Sequence, residues 1–181
     1  MKKSVKIILL VVGIILLTDK LFNGDKKPKF KKGMNRKFTE ADLKKSFGQV
    51  KRVFGEDLAA TIEQLYRKET RNFDSGQFRK TFSAGMEVVK GKNSFPYGWG
   101  SLRQFVEKYP KYGGEFYTVP MTENRTGKTK VFIGFPTLEG AVMFTAFMVN
   151  KRGDAGLWRS LDPEIAARYA ESLKSYPVKF T

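Results

Sequence analysis

Two amphipathic helices are predicted in succession in the region that follows residue 38. Thr39 and Asp42 have the spacing of a capping box, which predicts a helix that begins there. This helix should run to about Phe54 and end at Gly55, because glycine favours helix termination. The second helix should begin near Glu56, since acidic residues stabilise the N-terminal end of the helix dipole.

The apolar stripe of the second helix ends on a carboxylate. Leu58, Ile62 and Leu65 are spaced by four and three residues, and Tyr66 adjoins them. Glu69 follows Leu65 by four residues and therefore lies on the same stripe. One interpretation is a helix-terminal side chain that reaches solvent or pairs with a neighbouring cation. The other is a general acid, because burial and the negative end of the helix dipole both favour a protonated carboxyl.

The second half of the chain predicts a hairpin and two helices. Residues 114–121 and 129–135 alternate between apolar and polar, and the segment between them contains turn residues. Residues 138–149 are apolar nearly all round, which is typical of a central buried helix. An Asp-Pro pair at 162–163 predicts a last helix that ends near residue 175. The expected fold class is α+β, mainly α, with one small β-hairpin.

Two irregular stretches are candidates for a binding groove. The stretch after Glu69 lacks helical periodicity and is rich in small and polar residues, which predicts a polar loop followed by a turn at residues 83–87. Further on, Tyr97 and Trp99 are flanked by glycines. Aromatic faces in such a loop can stack on sugar rings, or they can cap the hydrophobic core.

The N-terminal segment has the pattern of a membrane anchor. Lysines precede an uninterrupted apolar run at residues 7–17, which is shorter than the roughly 20 residues of a comfortable span. We expect residues 1–22 to be an uncleaved signal anchor, which contacts the membrane through residues 4–22. A cleaved signal and an interfacial helix are the alternatives. Residues 23–37 are predicted to be a basic linker, and residues 38–181 the folded domain.

Composition excludes several kinds of chemistry. The chain has no cysteine and no histidine, so disulfides, thiolate or histidine metal sites and histidine general bases are all excluded. The net charge is +16: residues 1–37 hold 11 Lys or Arg against 2 Asp or Glu, a net +9 that leaves +7 to residues 38–181. Such a chain attracts anionic lipid, nucleic acid or anionic wall polymer. More cations follow the apolar run than precede it, a bias that favours a cytoplasmic domain.

Several short motifs resemble the lysozyme-like superfamily of peptidoglycan glycosidases. In lytic transglycosylases of that superfamily, a catalytic Glu followed by Ser or Thr ends a helix, and a loop of small residues then lines the glycan groove. The matching positions in this chain are Glu69-Thr70, Phe73, Ser75-Gly76 and Ser83-Ala84-Gly85-Met86-Glu87, with Glu87 where those enzymes usually have Gln. Residues 131–176 are similar to the C-terminal part of bacterial and phage N-acetylglucosaminidases, so the resemblance covers about two thirds of the chain.

The resemblance implies a catalytic role for Glu69 and a groove around it. Related glucosaminidases take a second acidic residue from a β-hairpin, which makes Glu123 the candidate here. A tyrosine of the last helix lies across the cleft in related enzymes, which implies that Tyr169 lies near Glu69. The remaining substrate-binding candidates are Phe73, Ser83, Met86, Glu87, Tyr97 and Trp99.

The sequence therefore predicts a membrane-anchored glycosidase that cleaves the β-1,4 glycan backbone of peptidoglycan. Muramidase, lytic transglycosylase and N-acetylglucosaminidase activities remain open, and no metal or organic cofactor is implied. We expect the protein in the membrane of a bacteriophage virion, or in a bacterial inner membrane with the domain facing the cell wall. The alternative is a non-catalytic, membrane-tethered structural protein that binds glycan or nucleic acid through its basic surface.

Overall fold

The computed structural model describes residues 35–88, 99–122, 127–157 and 162–181, apart from the side chains of Trp99 and Ala155. Within these ranges the chain forms six α-helices and three strands. The helices are α1 Glu40–Phe54, α2 Glu56–Thr70, α3 Gly76–Thr81, α4 Trp99–Lys108, α5 Leu138–Arg152 and α6 Pro163–Leu173, and the strands are β1 Glu87–Val88, β2 Tyr117–Thr122 and β3 Thr129–Gly134. The α+β, mainly α, fold class is confirmed.

The predicted ends of the first two helices are confirmed. Helix α1 begins after Thr39, whose hydroxyl accepts from the Asp42 amide while the Asp42 carboxylate accepts from the Thr39 amide. It ends at Gly55, and α2 begins immediately afterwards at Glu56. Helix α6 has Asp162 as its N-cap, and its carboxylate accepts from two backbone amides of the first turn. Local side-chain chemistry therefore sets these helix ends.

Three elements differ from the expectation. The stretch after Glu69 was predicted to be a loop, yet residues Gly76–Thr81 form α3, capped by the Ser75 hydroxyl. Residues from Trp99 onward form α4 rather than a continuous loop. The predicted hairpin of β2 and β3 is present, but β1 joins it to give an antiparallel sheet of order β1-β3-β2. A six-residue helix and a two-residue strand are too short to leave a clear periodicity in the sequence.

Helix α5 forms the centre of the core, as its apolar sequence predicted. Ten of its residues are buried, and α1 packs along much of its length while α2 and α4 contact it as well. Aromatic side chains fill the space around it: the Phe144 ring lies 5.4 Å from Phe105 and 5.6 Å from Phe135, measured between centroids. These separations are typical of favourable aromatic contacts.

A buried ion pair ties the C-terminal tail to α2. The Glu63 side chain is fully buried, and Arg67, one turn later, donates to its Oε1 from Nε at 2.8 Å and from Nη2 at 2.6 Å. The same carboxylate accepts from the backbone amides of Lys179 and Phe180 at 2.9 and 2.8 Å. The Phe180 ring then stacks on Phe47 of α1. The carboxylate thus has four donors, which compensate for its loss of water.

One residue of the predicted linker contacts the folded domain. Arg36, predicted to be in the linker, donates from its guanidinium to the carbonyls of Phe135 and Pro136 at 2.6 and 2.8 Å. Its guanidinium carbon lies 3.5 Å from the centroid of the Phe82 ring, and its backbone amide donates to Arg79. A cation that stacks on an aromatic ring and satisfies two carbonyls belongs to the domain.

The predicted membrane anchor and most of the linker lie outside the described residues. Among the residues that are described, no helix combines the length and the apolar character needed to cross a bilayer.

Glu63→Gln should lower the free energy of unfolding by about 3–5 kcal/mol, because it leaves the Arg67 charge buried without a carboxylate. Urea unfolding followed by circular dichroism measures this change. Glu56→Gln, on the same helix but at an exposed pair with Lys51, is the control and should change stability by less than about 1 kcal/mol. Equal effects of the two substitutions would contradict the structural role of the buried pair.

Arg36→Ala should destabilise the domain by about 2–3 kcal/mol, since the Phe135 and Pro136 carbonyls lose a charged donor. Lys37→Ala changes the neighbouring exposed cation and should stay within about 0.5 kcal/mol of wild type. The same unfolding experiment compares them. If Arg36→Ala were as stable as Lys37→Ala, the contacts of Arg36 would not stabilise the domain, and Arg36 would be part of the linker.

Candidate functional site

The carboxyl of Glu69 lies at the junction of α2 and α6. Glu69 is half-buried in the last turn of α2, and the Tyr169 hydroxyl of α6 donates to its Oε1 at 2.5 Å. The expected proximity of Tyr169 to Glu69 is therefore found. Arg67, a possible partner for Glu69 in the sequence, instead binds Glu63. Glu69 thus combines partial burial with a specific phenolic partner from a distant part of the chain.

The backbone directly after Glu69 is unusual. Arg71, Asn72 and Phe73 all have positive φ, at 53°, 54° and 69°, although none of them is glycine. This conformation costs Arg71 and Phe73 about 1–2 kcal/mol each relative to ordinary backbone, and it costs Asn72 less, because asparagine tolerates it. Backbone strain of this kind is characteristic of functional sites, where the surrounding structure has to stabilise it.

The Thr70 side chain stabilises this left-handed turn. Its buried hydroxyl donates to the Tyr66 carbonyl at 2.5 Å and accepts from the Phe73 amide at 2.9 Å. The Thr70 carbonyl also accepts from the amides of Asp74 and Ser75. The residue next to Glu69 therefore connects the end of α2 with the turn that follows it.

Three of the predicted substrate-binding side chains lie in the interior. Ser83 and Met86 are fully buried, and Phe73 is 5% exposed and packs against Phe47 and Phe180. The Ser83 hydroxyl accepts from the Gln77 amide at 3.0 Å and contacts Thr81 at 3.0 Å. Ser83 and Met86 are thus enclosed by the core, whereas Phe73 also borders a cleft beside the C-terminal tail. The role of these side chains in substrate binding stays a prediction.

Glu87 has a different environment. It is half-buried in β1, opposite Phe132 of β3, and its carboxylate lies 3.4 Å from the Lys130 ammonium. Glu87 therefore lies in the sheet and pairs with a cation, and its role in substrate binding stays a prediction.

The remaining predicted residues lie wholly or partly outside the described ranges. Glu123, the candidate second carboxylate, and Tyr97 lie outside the described residues, as does the Trp99 side chain, although the Trp99 backbone begins α4.

A cleft of about 600 Å³ opens elsewhere, between α1 and the start of α5. We call it the basic cleft, because four cationic side chains line it, namely Lys37, Lys45, Arg52 and Lys111. A smaller cleft of about 300 Å³ lies beside the left-handed turn and the C-terminal tail. Glu69 lines neither of these two clefts.

The basic cleft holds a carboxylate in its charged form. Glu139 accepts from the Tyr112 hydroxyl at 2.7 Å, and the ammonium groups of Lys111 and Lys45 lie within 3.3 and 3.4 Å. Burial by itself would raise the pKa of Glu139, but these hydrogen bonds and cations outweigh it and hold the pKa below its usual value. The pKa of the Tyr112 phenol is raised, chiefly by burial and then by its bond to Glu139. A glutamate whose pKa is lowered in this way suits ion pairing rather than proton donation.

No group of three or more acidic residues capable of holding a metal ion occurs among the residues that the structure describes.

Sequence reasoning missed Glu63, the most deeply buried carboxylate on α2. The one available signal was the spacing of Glu63 and Arg67, since an acid four residues before a base is a stabilising helical pair. The pair is buried because the C-terminal tail covers it, and no local pattern predicts that contact.

No family model, curated protein or solved structure matches this chain.

Thr70→Val should weaken the turn that follows Glu69, because an isosteric methyl can neither donate to Tyr66 nor accept from Phe73. We expect a loss of about 1–3 kcal/mol in the free energy of unfolding and faster hydrogen exchange at the Phe73 amide. Thr70→Ser keeps the hydroxyl and should retain that amide's protection. If Thr70→Val exchanged as slowly as wild type, the backbone hydrogen bonds alone would be holding the turn.

Proposed function

We propose that this chain is a peptidoglycan-degrading glycosidase with a lysozyme-like domain, in which Glu69 is the general acid. The observation that carries the proposal is the contact between the half-buried Glu69 carboxyl and the Tyr169 hydroxyl, beside a strained turn. The motifs at residues 69–87 and the similarity of residues 131–176 to glucosaminidases support the same family. A cysteine- and histidine-free chain also leaves carboxyl chemistry as the natural choice for catalysis.

Tyr169 is a suitable partner for a carboxyl that must change its protonation state. A phenol hydroxyl can accept a hydrogen bond from a carboxylic acid and donate one to a carboxylate. Glu69 would donate its proton to the glycosidic oxygen, and the leaving sugar would take the bonding electrons with that proton. In the retaining and intramolecular routes, the resulting carboxylate would then take a proton from water or from a sugar hydroxyl, and Tyr169 can donate to it in this second state.

The nucleophile defines the product. If Glu123 acts as the second carboxylate, the glycosidic bond is hydrolysed. In an inverting enzyme, with the carboxyls about 6.5–9.5 Å apart, Glu123 would take a proton from the attacking water; in a retaining enzyme, with the carboxyls about 5 Å apart, Glu123 would itself attack, and water would then hydrolyse the glycosyl-enzyme ester. In the alternative, the N-acetyl group of the substrate stabilises the developing cation and a hydroxyl of the same sugar attacks, which gives a 1,6-anhydro product. In this second route Glu69 alone serves first as acid and then as base.

The N-terminal segment defines the proposed location. The segment at residues 4–22, with its apolar run at residues 7–17, would hold the enzyme in a membrane, and the basic linker would lie against anionic lipid. Placement in the membrane of a phage virion would remove the need for export, which the distribution of cations around the apolar run disfavours. A bacterial inner membrane, with the domain facing the cell wall, is the other proposed location.

The basic cleft favours a second candidate, a non-catalytic protein that holds an anionic polymer. Its four cations come from the linker boundary, α1 and the turn after α4, and they outnumber the two carboxylates, Asp42 and Glu139, that line the same depression. Binding of this kind would weaken steeply with added salt and would not depend on Glu69.

The full-length protein in detergent should release soluble fragments from purified peptidoglycan, and Glu69→Gln should reduce the rate at least 100-fold, because an amide cannot donate the required proton. Mass spectrometry of the fragments identifies the bond that is cut and distinguishes reducing ends from anhydro ends. Glu171→Gln, an exposed carboxylate of α6 paired with Lys174, is the control and should retain wild-type turnover.

Wild-type protein that binds peptidoglycan without releasing fragments would contradict the glycosidase proposal. Binding that is equal in Glu69→Gln and is lost in salt would instead support the non-catalytic candidate.

A further inference from the structure

Lys68, which precedes Glu69 on α2, contacts the same tyrosine as Glu69 does, Tyr169. The Lys68 ammonium lies 4.2 Å from the centroid of the Tyr169 ring, within the distance of a favourable cation–π contact. The same ammonium donates to the Ser172 hydroxyl of α6 at 2.5 Å, and that hydroxyl donates to the Tyr169 carbonyl at 2.6 Å. Consecutive residues of α2, Lys68 and Glu69, thus bind the ring and the hydroxyl of one tyrosine.

The Lys68 ammonium changes the electrostatics of the Tyr169 hydroxyl, because it lies over the face of the ring. A cation over the face of a phenol draws electron density from the ring, so the hydroxyl becomes a stronger hydrogen-bond donor. The Ser172 contact fixes the position of the ammonium, which a lysine on a flexible stem would otherwise leave variable. Lys68 therefore acts on both the orientation of the Tyr169 ring and the donor strength of its hydroxyl.

We propose that Lys68 is a positioning residue, which acts on the Glu69 carboxyl through the Tyr169 ring. The inference rests on the proposed function of Glu69 as the acid. In this proposal Lys68 does not contact the substrate. Removal of its charge should therefore slow turnover without weakening substrate binding.

Lys68→Met keeps the length of the side chain and removes the charge. On soluble glycan strands, we expect kcat to fall about three- to tenfold while KM changes less than twofold, as the modest strength of a half-exposed cation–π contact implies. Lys68→Arg keeps a cation over the ring and should recover at least half of the wild-type kcat. Lys174→Met removes a cation paired with Glu171 and should leave both constants unchanged.

A double-mutant cycle tests whether Lys68 acts through Tyr169. In a Tyr169→Leu background, which removes the ring and the hydroxyl, Lys68→Met should change kcat by less than twofold, because the group that transmits its effect is gone. Equal effects of Lys68→Met in both backgrounds would overturn the proposal, as would a change confined to KM or a failure of Lys68→Arg to recover turnover.

A spectroscopic measurement separates this inference from the proposed function. In full-length protein with ¹³C-labelled tyrosine, the Tyr169 Cζ resonance, assigned by its loss in Tyr169→Leu, should shift in Lys68→Met and return in Lys68→Arg. If the wild type had no glycosidase activity, a shift of this resonance would still support the action of Lys68 on the Tyr169 hydroxyl. An unchanged resonance would overturn that action whatever the activity.

Discussion

The buried carboxylate of Glu63 is the constraint on which the position of α2 depends. An ionised group without water must keep its donors, and here these are Arg67 and the amides of Lys179 and Phe180. Helix α2 therefore cannot slide or rotate against the C-terminal tail without leaving a charge unpaired. Glu69 lies on the same helix about 9 Å further along its axis. A rigid attachment near the middle of the helix thus fixes the helix that carries the candidate acid.

The C-terminal region fixes α2 at several points along its length. The Gln64 side chain donates to the Tyr176 carbonyl, the Lys68 ammonium donates to Ser172, and Glu69 accepts from Tyr169. These polar contacts are directional, unlike the apolar packing of α1 and α5 around the core, so they set the rotation of one helix against the other. Precise placement of a carboxyl relative to its partner is what acid–base catalysis requires.

Three glutamates show how environment separates roles that residue type leaves open. Glu63 is fully buried and satisfied by four donors, which makes it structural. Glu139 is held ionised by a phenol and two lysines in the basic cleft. Glu69 is half-buried, has a phenolic partner and precedes a strained turn. The third environment combines partial burial, a phenolic partner and backbone strain, which is why Glu69 is the candidate acid among the three.

The sequence alone determined the features that depend on neighbouring residues. The capping box at Thr39, the break at Gly55, the Asp162 cap and the apolar character of α5 all follow from local chemistry, and the structure has each of them. Tertiary structure alone decided which carboxylate is buried and where the predicted groove residues point. Glu63 became structural because a tail more than a hundred residues away covers it, and Ser83 and Met86 are buried in a core that distant segments form together. Local patterns record the preferences of a helix or a turn, whereas burial depends on contacts between segments distant in the chain.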